Sequence, residues 1–106
     1  MAKYLLAAAY TAEGAKGLLK DSGTKRRQAA EQAIKSAGGT MEAFYFAFGK
    51  NDAYVIVDAP DHASMAAASV SINASGAVHT KTVVLLTPEE IDNAIKKTVT
   101  YRAPGR

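Results

Sequence analysis

The alternation of apolar and polar positions divides the chain into strands and helices. Period-two alternation is typical of strands, and apolar residues three or four apart are typical of helices. The pattern predicts strands over residues 3–10, 41–48, 53–58 and 77–86 and helices over 12–20, 25–37, 61–74 and 88–98. This order is that of a ferredoxin-like βαββαβ fold of the α+β class with an added C-terminal helix. We expect one domain over residues 1–98 and a loose tail over 99–106.

The predicted hairpin over residues 41–58 contains all three Phe residues of the chain and two of its five Tyr residues. Alternation in its first strand would place Glu42 on the face of Phe44, Phe46 and Phe48, and Met41 on the other face with Tyr45. Both faces are then substantially apolar, whereas a sheet covered on one side only has polar residues on the other. We therefore expect a homo-oligomer in which a second copy packs sheet to sheet.

Short polar signals mark where the helices begin. Thr11 and Asp61 are good N-cap residues, and Thr87, Pro88 and Glu90 form the pattern of a capping box. A break is predicted over residues 21–24. The small residues of the second helix, with Ala29, Ala30 and Ala33 on one stripe, predict a close approach to the sheet.

Composition excludes several kinds of chemistry. The chain has no Cys, which rules out disulfides, thiol catalysis and Cys-ligated metals, and its two His residues lack metal-ligand spacing. No phosphate-binding glycine loop is present, so we expect neither a cofactor nor a metal. The net charge of +3 is scattered, which argues against nucleic acid as a partner. No apolar run approaches the roughly 18 residues of a membrane span, and we expect a cytoplasmic protein.

Several segments together resemble the GYD-domain family, a group of small, mostly uncharacterised bacterial proteins. The matching residues are Lys3, Tyr4, 10–14, Arg27, Gly38, Gly39, 42–49, Asp52, 55–58, 75–78 and 85–90. The resemblance implies a ferredoxin-like, dimeric α/β-barrel arrangement and no established activity. The chain departs from the family at its signature Tyr, where Asn51 stands between Gly49 and Asp52. Asn tolerates turn geometry well, so it is an adequate substitute if that Tyr only shapes a turn.

Asp52, Arg26 and Arg27 are candidates for a polar site. Asp52 is either a general base or, as we favour, a residue that caps the turn. Arg26 and Arg27 stand near a predicted helix start, where positive charge opposes the helix dipole. An anionic ligand, or a carboxylate such as Asp52 or Asp58, would remove that conflict. The alternative, which we favour, is that both arginines lie mid-helix and extend to water.

The remaining candidates are histidines and tyrosines. His79 in the last strand would act as a proton shuttle if Tyr10 or Tyr45 lay beside it, although a single His in a strand is more often an ordinary surface or interface residue. We expect His62 to be solvated. Tyr10 and Tyr45 would line a ligand cleft between the sheet and the helices, or else belong to an aromatic core.

Three classes of function remain open. The absence of a catalytic constellation favours a small-molecule-binding or regulatory module with Tyr and Arg at the rim of its pocket. A small cofactor-free enzyme, such as a monooxygenase or isomerase, is the second hypothesis and rests on fold analogy. A structural assembly subunit is the third. An enclosed pocket that contains His79 or Arg27 with a polar partner would favour the enzyme, and exposure of both residues would exclude it. A packed interior without a pocket would favour assembly.

Overall fold

The computed structural model describes residues 2–106, and Met1, where the predicted domain begins, lies outside the described residues. The elements are β1 (Ala2–Tyr10), α1 (Ala12–Asp21), α2 (Gly23–Ser36), β2 (Thr40–Phe46), β3 (Ala53–Ala59), α3 (His62–Ala74), β4 (Val78–Leu85) and α4 (Pro88–Ile95). The predicted order of strands and helices is therefore confirmed.

The four strands form one antiparallel sheet in the order β2-β3-β1-β4. Strands β1 and β3 lie in the centre, and β2 and β4 are the edges. Helices α2 and α3 pack on the same side of the sheet, hereafter the helix face, and the opposite side is the open face. This topology confirms the ferredoxin-like α+β class.

The helix starts follow the predicted caps. The Thr11 side chain accepts a hydrogen bond from the Gly14 N–H, and Asp61 accepts one from the Ser64 N–H at 2.7 Å. Thr87 and Glu90 form both hydrogen bonds of a capping box. The predicted break between α1 and α2 is a single residue, Ser22, whose φ of +97° is a conformation that non-glycine residues seldom adopt.

The core lies between the helix face and the helices. Alternate residues of β1 and β3 enter it, and Ile34 of α2 and Val57 of β3 are each 1% exposed. The main cluster is Tyr4, Leu6, Ile34, Met41, Val55, Val57, Ala59 and Met65. Helix α1 docks closely at one end of the sheet, because a Cβ on Gly14 would lie only 1.9 Å from the Ala77 carbonyl oxygen.

A β-bulge changes the predicted faces of β2. The register against β3 shifts between Met41 and Ala43, so Met41 is buried in the core and Glu42 pairs with Lys3 on the open face. The prediction that Glu42 shares a face with the Phe residues is wrong, because strict alternation fails across a bulge. Phe48 lies beyond the end of the strand and is fully exposed.

Side chains of α3 hold the outer edge of β4. The Asn73 side chain accepts a hydrogen bond from the Thr80 N–H at 2.8 Å and donates to the Thr80 hydroxyl at 2.9 Å. The Ser69 and Thr82 hydroxyls lie 3.1 Å apart and share a further hydrogen bond. Part of the free edge of the sheet is thus occupied by a neighbouring helix.

Helix α4 buries none of its side chains. Its apolar residues Ile91 and Ile95 face solvent, and Ile95 is 76% exposed. In residues 2–106, no helix has both the length and the apolar character that crossing a bilayer requires.

Candidate functional site

A cavity of about 220 Å³ lies between the helix face of the sheet and the helices α2 and α3. Its walls are mostly apolar. The sheet contributes Leu6, Ala8, Phe44, Ala53, Val55 and Val78, α2 contributes Ala29, Ala30 and Ala33, and α3 contributes Ile72. The alanine stripe of α2, which predicts close packing on the sheet, leaves open space at this position because its side chains are too short to fill it.

Polar side chains line one part of this cavity. Tyr10 comes from the end of β1 and Arg26 from the first turns of α2, and Ser75 and Thr80 add hydroxyl groups. Two of the residues predicted to bind a ligand, Tyr10 and Arg26, thus line the same cavity. Its composition is an apolar interior with an arginine and a tyrosine at the boundary.

The carboxylate beside Arg26 is Asp21, rather than Asp52 or Asp58 as the sequence suggested. An Arg26 guanidinium nitrogen lies 3.6 Å from an Asp21 carboxylate oxygen. Asp58 instead pairs with Lys3 at 3.2 Å on the open face. Asp21 ends α1 and Arg26 lies in the first turns of α2, so the backbone turn at Ser22 brings the two charges together. The favoured prediction that both arginines lie mid-helix is wrong, because the helix breaks at Ser22.

Asp52 connects the 47–52 loop to β1. Its side-chain oxygen accepts a hydrogen bond from the Tyr10 N–H at 2.8 Å, and its own N–H donates to the Ala8 carbonyl at 2.8 Å. Its carbonyl accepts a third hydrogen bond from the Ala47 N–H at 2.8 Å. These contacts are those of a residue that holds the turn, which supports the structural interpretation of Asp52 over the general base.

A second, larger cleft of about 590 Å³ lies beside the first, between α1 and the ends of β1 and β2. Tyr10 lines both spaces, and Leu18, Phe46 and Asp52 line the cleft alone. This cleft is more open to solvent than the cavity under α2 and α3. The smaller cavity is therefore the better enclosed place for a ligand.

The other candidate residues lie elsewhere. Arg27 pairs with Glu31 at 3.8 Å along the exposed side of α2. Tyr45, which is 71% exposed, and the exposed His79 both lie on the open face. The structure therefore brings Tyr10 and Arg26 to one cavity and places Arg27, Tyr45 and His79 away from it.

Two polar residues have partners that the sequence did not suggest. His62 is exposed, but its Nδ1 lies 2.5 Å from the hydroxyl of the buried Tyr4 and shares a hydrogen bond with it. Asn51 donates a side-chain hydrogen bond to the Tyr54 hydroxyl at 3.2 Å. The Asn51 amide thus ties the loop to Tyr54 near the start of β3.

The sequence did not predict the ion pair between Asp21 and Arg26 or the cavity between the alanines of α2 and the sheet. Asp21 falls in a predicted break, and its approach to Arg26 depends on the unusual φ of Ser22, for which the sequence carries no signal. Among residues 2–106, no group of three or more His, Asp or Glu side chains is placed to hold a metal ion.

The antiparallel sheet with two helices on one face defines the molecule as a ferredoxin-like α+β domain. The family model of the GYD domain matches residues 4–95, and the chain belongs to this family. The resemblance that the sequence segments indicate is thereby confirmed over most of the chain. No curated protein and no solved structure matches it.

Proposed function

We propose that this GYD-domain protein is a small-molecule-binding or regulatory module whose ligand occupies the cavity between the sheet and helices α2 and α3. The observation that carries the proposal is the cavity itself, a concave and mostly apolar space that is partly open to solvent beside exposed residues such as Ala29 and Ser75. Its apolar walls and its few polar groups are the usual composition of a small-molecule site.

The volume of the cavity limits the ligand. A dry cavity of about 150 Å³ binds benzene, and pockets for drug-sized molecules begin at about 300 Å³. The cavity of about 220 Å³ lies between these values. A ligand with a single ring or with two fused rings fits this space, as does a short branched chain of similar volume.

Binding is favoured over the alternative functions by the position of the candidate residues. His79 and Arg27 are both exposed, which argues against a monooxygenase or an isomerase. The second catalytic candidate, Asp52, lines the larger open cleft and not this cavity. A packed interior without a pocket would favour a subunit that serves assembly alone, and the partly open cavity does not fit that description.

Naphthalene, a neutral two-ring probe, tests the proposal in an NMR titration of the full chain. We expect shifts of backbone amides around the cavity, and we expect Ala33→Leu to abolish them by filling the space. Ala67→Leu is the matched control, because it makes the same change at an exposed position of α3 outside the cavity. Naphthalene shifts that are absent, or that survive in folded Ala33→Leu, contradict the proposal.

We further propose that the chain acts as a homo-oligomer through its open face. Leu5, Ile56 and Val83 lie in adjacent strands on that face, where Leu5 and Ile56 are partly exposed and Val83 is exposed. The exposed apolar side of α4 adds to the surface that a second copy would bury. Each large apolar side chain buried there contributes about 1.5–3 kcal/mol to association or folding.

Light scattering of the purified chain tests this assembly. We expect a dimer or larger oligomer at micromolar concentration and a folded monomer for Ile56→Glu, whose charge faces the proposed contact. Val70→Glu is the matched control, because Val70 is an exposed valine on α3, away from the open face. A monomeric wild type, or equal effects of the two variants, contradicts the proposed contact.

A further inference from the structure

Arg26 lies at the boundary of the cavity with much of its hydrogen-bonding capacity free. A guanidinium group carries five N–H donors. Within residues 2–106 its one ionic partner is Asp21, and the N–O distance of 3.6 Å is longer than a hydrogen bond. The Arg26 side chain is 34% exposed, so it is neither buried in the core nor fully solvated.

The electrostatic surroundings of Arg26 favour an added negative charge. Arg26 stands near the start of α2, and the first turn of this helix contains no acidic residue. A positive side chain there opposes the helix dipole, whereas an anion interacts favourably with both the arginine and the helix start. Asp21 of the preceding helix supplies a negative charge at 3.6 Å, which is ion-pair distance but too long for a hydrogen bond.

The Asp21–Arg26 pair is also easily replaced. Both side chains are about one third or more exposed, at 41% and 34%. Ion pairs at this exposure contribute little, because water screens the charges and both side chains lose conformational freedom. A ligand that offers a better placed anionic group can therefore take the position of the Asp21 carboxylate.

We propose that the ligand is a small carboxylic acid whose apolar part fills the cavity and whose carboxylate binds Arg26 in place of Asp21. This inference rests on the proposed function and names the chemical class of its ligand. The planar fork of one guanidinium matches a carboxylate through two parallel hydrogen bonds. The neighbouring Arg27 pairs with Glu31 on the exposed side of α2, so the site offers one arginine rather than a cluster suited to a more highly charged group.

Asp21 then has a specific role as an internal competitor. In the empty state it partly neutralises Arg26, and in the bound state its carboxylate is released to solvent. Removal of the Asp21 charge is therefore expected to strengthen binding of the acid, which is the opposite of its effect if Asp21 were a ligand contact.

A pair of probes with nearly the same shape tests the inference. The probes are 2-naphthoate and 2-acetonaphthone, which differ by a negative oxygen in place of a methyl group. Both are titrated into the full-length wild type and into the variants Arg26→Gln and Asp21→Asn by NMR. We expect the wild type to bind 2-naphthoate with a dissociation constant about tenfold or more below that of 2-acetonaphthone. A hydrogen bond to a charged group changes the dissociation constant by at least about tenfold.

The variants are expected to move this preference in opposite directions. Arg26→Gln removes it, and Asp21→Asn increases it by several-fold. Arg27→Gln and Glu31→Gln are the matched controls, because they remove the same charges from a pair on α2 outside the cavity. We expect both controls to keep the wild-type preference, with all variants folded by circular dichroism.

The results distinguish the ligand class from the proposed function. Equal binding of both probes at the cavity, unchanged in Arg26→Gln, overturns the acid and leaves the small-molecule site intact. Weaker binding of 2-naphthoate to Asp21→Asn overturns the competitor role. The absence of binding of either probe to the folded wild type overturns the ligand class together with the site on which it rests.

Discussion

The two faces of the sheet have similar hydrophobic patterns and different surroundings. On the helix face, residues such as Tyr4 and Val57 are buried under α2 and α3. On the open face, Leu5 and Ile56 stay partly exposed in a single chain. Alternation along a strand specifies which residues share a face. It does not specify whether that face is covered by the same chain or by another molecule.

Charge is also distributed differently between the faces. Among residues 2–106, no buried polar or charged residue lies in the core. The open face carries Lys3 between Glu42 and Asp58 at one end. The helix face is thus suited to a dry interior, and the open face combines an apolar centre with a hydrated ionic group at its margin.

A truncation on each face tests this comparison most directly. We expect Ile34→Ala to lower the free energy of unfolding by about 2–5 kcal/mol, because it leaves space in a packed core. Ile56→Ala is expected to cost less, and its cost should depend on protein concentration if a second copy covers the open face. Urea unfolding at two protein concentrations measures both. Equal losses that do not vary with concentration would contradict the difference between the faces.

Substitution of Asp52 measures how much the 47–52 loop stabilises the end of the sheet that it contacts. Asp52→Ala leaves the Tyr10 N–H without its acceptor and is expected to cost about 1–3 kcal/mol. Asp52→Asn keeps a side-chain oxygen and should cost less. Urea unfolding and hydrogen exchange of the Tyr10 amide measure the effect. If Asp52→Ala instead weakened probe binding at unchanged stability, the role of Asp52 would be ligand binding.

Substitution of Ser22 tests whether the backbone between α1 and α2 is strained. Its φ of +97° and ψ of 161° belong to a region that is nearly restricted to glycine and costs about 1–3 kcal/mol. Ser22→Gly removes this strain and loses only a few tenths of a kcal/mol of capping. We therefore expect a net gain of about 1 kcal/mol in thermal or urea unfolding. Unchanged or lower stability would show that the serine conformation is not strained.

Lys3 gives the smallest expected effect, on the open face. Hydrogen bonds to Glu42 and Asp58 raise the pKa of Lys3 above its ordinary value of 10.5. A raised pKa in the folded state means that the stabilisation is complete below pH 10.5 and is lost as the pH rises through the folded pKa. Above neutral pH, the stability difference between wild type and Lys3→Met should therefore shrink in that alkaline range and stay constant below it. A difference that shrinks on acidification towards neutral pH would contradict this assignment.

Local signals in the sequence predicted much of the fold. The capping box at Thr87 and the cap at Asp61 depend on neighbouring residues alone, and both formed as expected. Glu42 was assigned to the wrong face because a bulge depends on the pairing of two strands. The candidate site was predicted less completely. The candidates Tyr10 and Arg26 line one cavity, and their role in binding stays a prediction. The Asp21 contact and the cavity depend on a turn conformation and on packed volumes that residue patterns do not encode.

The contacts of Asn73 with β4 have a consequence for how copies of this molecule can meet. An unpaired edge strand is a template for a strand from another molecule, and uncontrolled pairing of this kind leads to aggregation. The Asn73 amide already accepts the outward N–H of Thr80 and thereby imitates a neighbouring strand at that point. Extension of the sheet across β4 would have to displace this side chain. The edge of β4 is therefore protected at this point against pairing with a strand of another molecule.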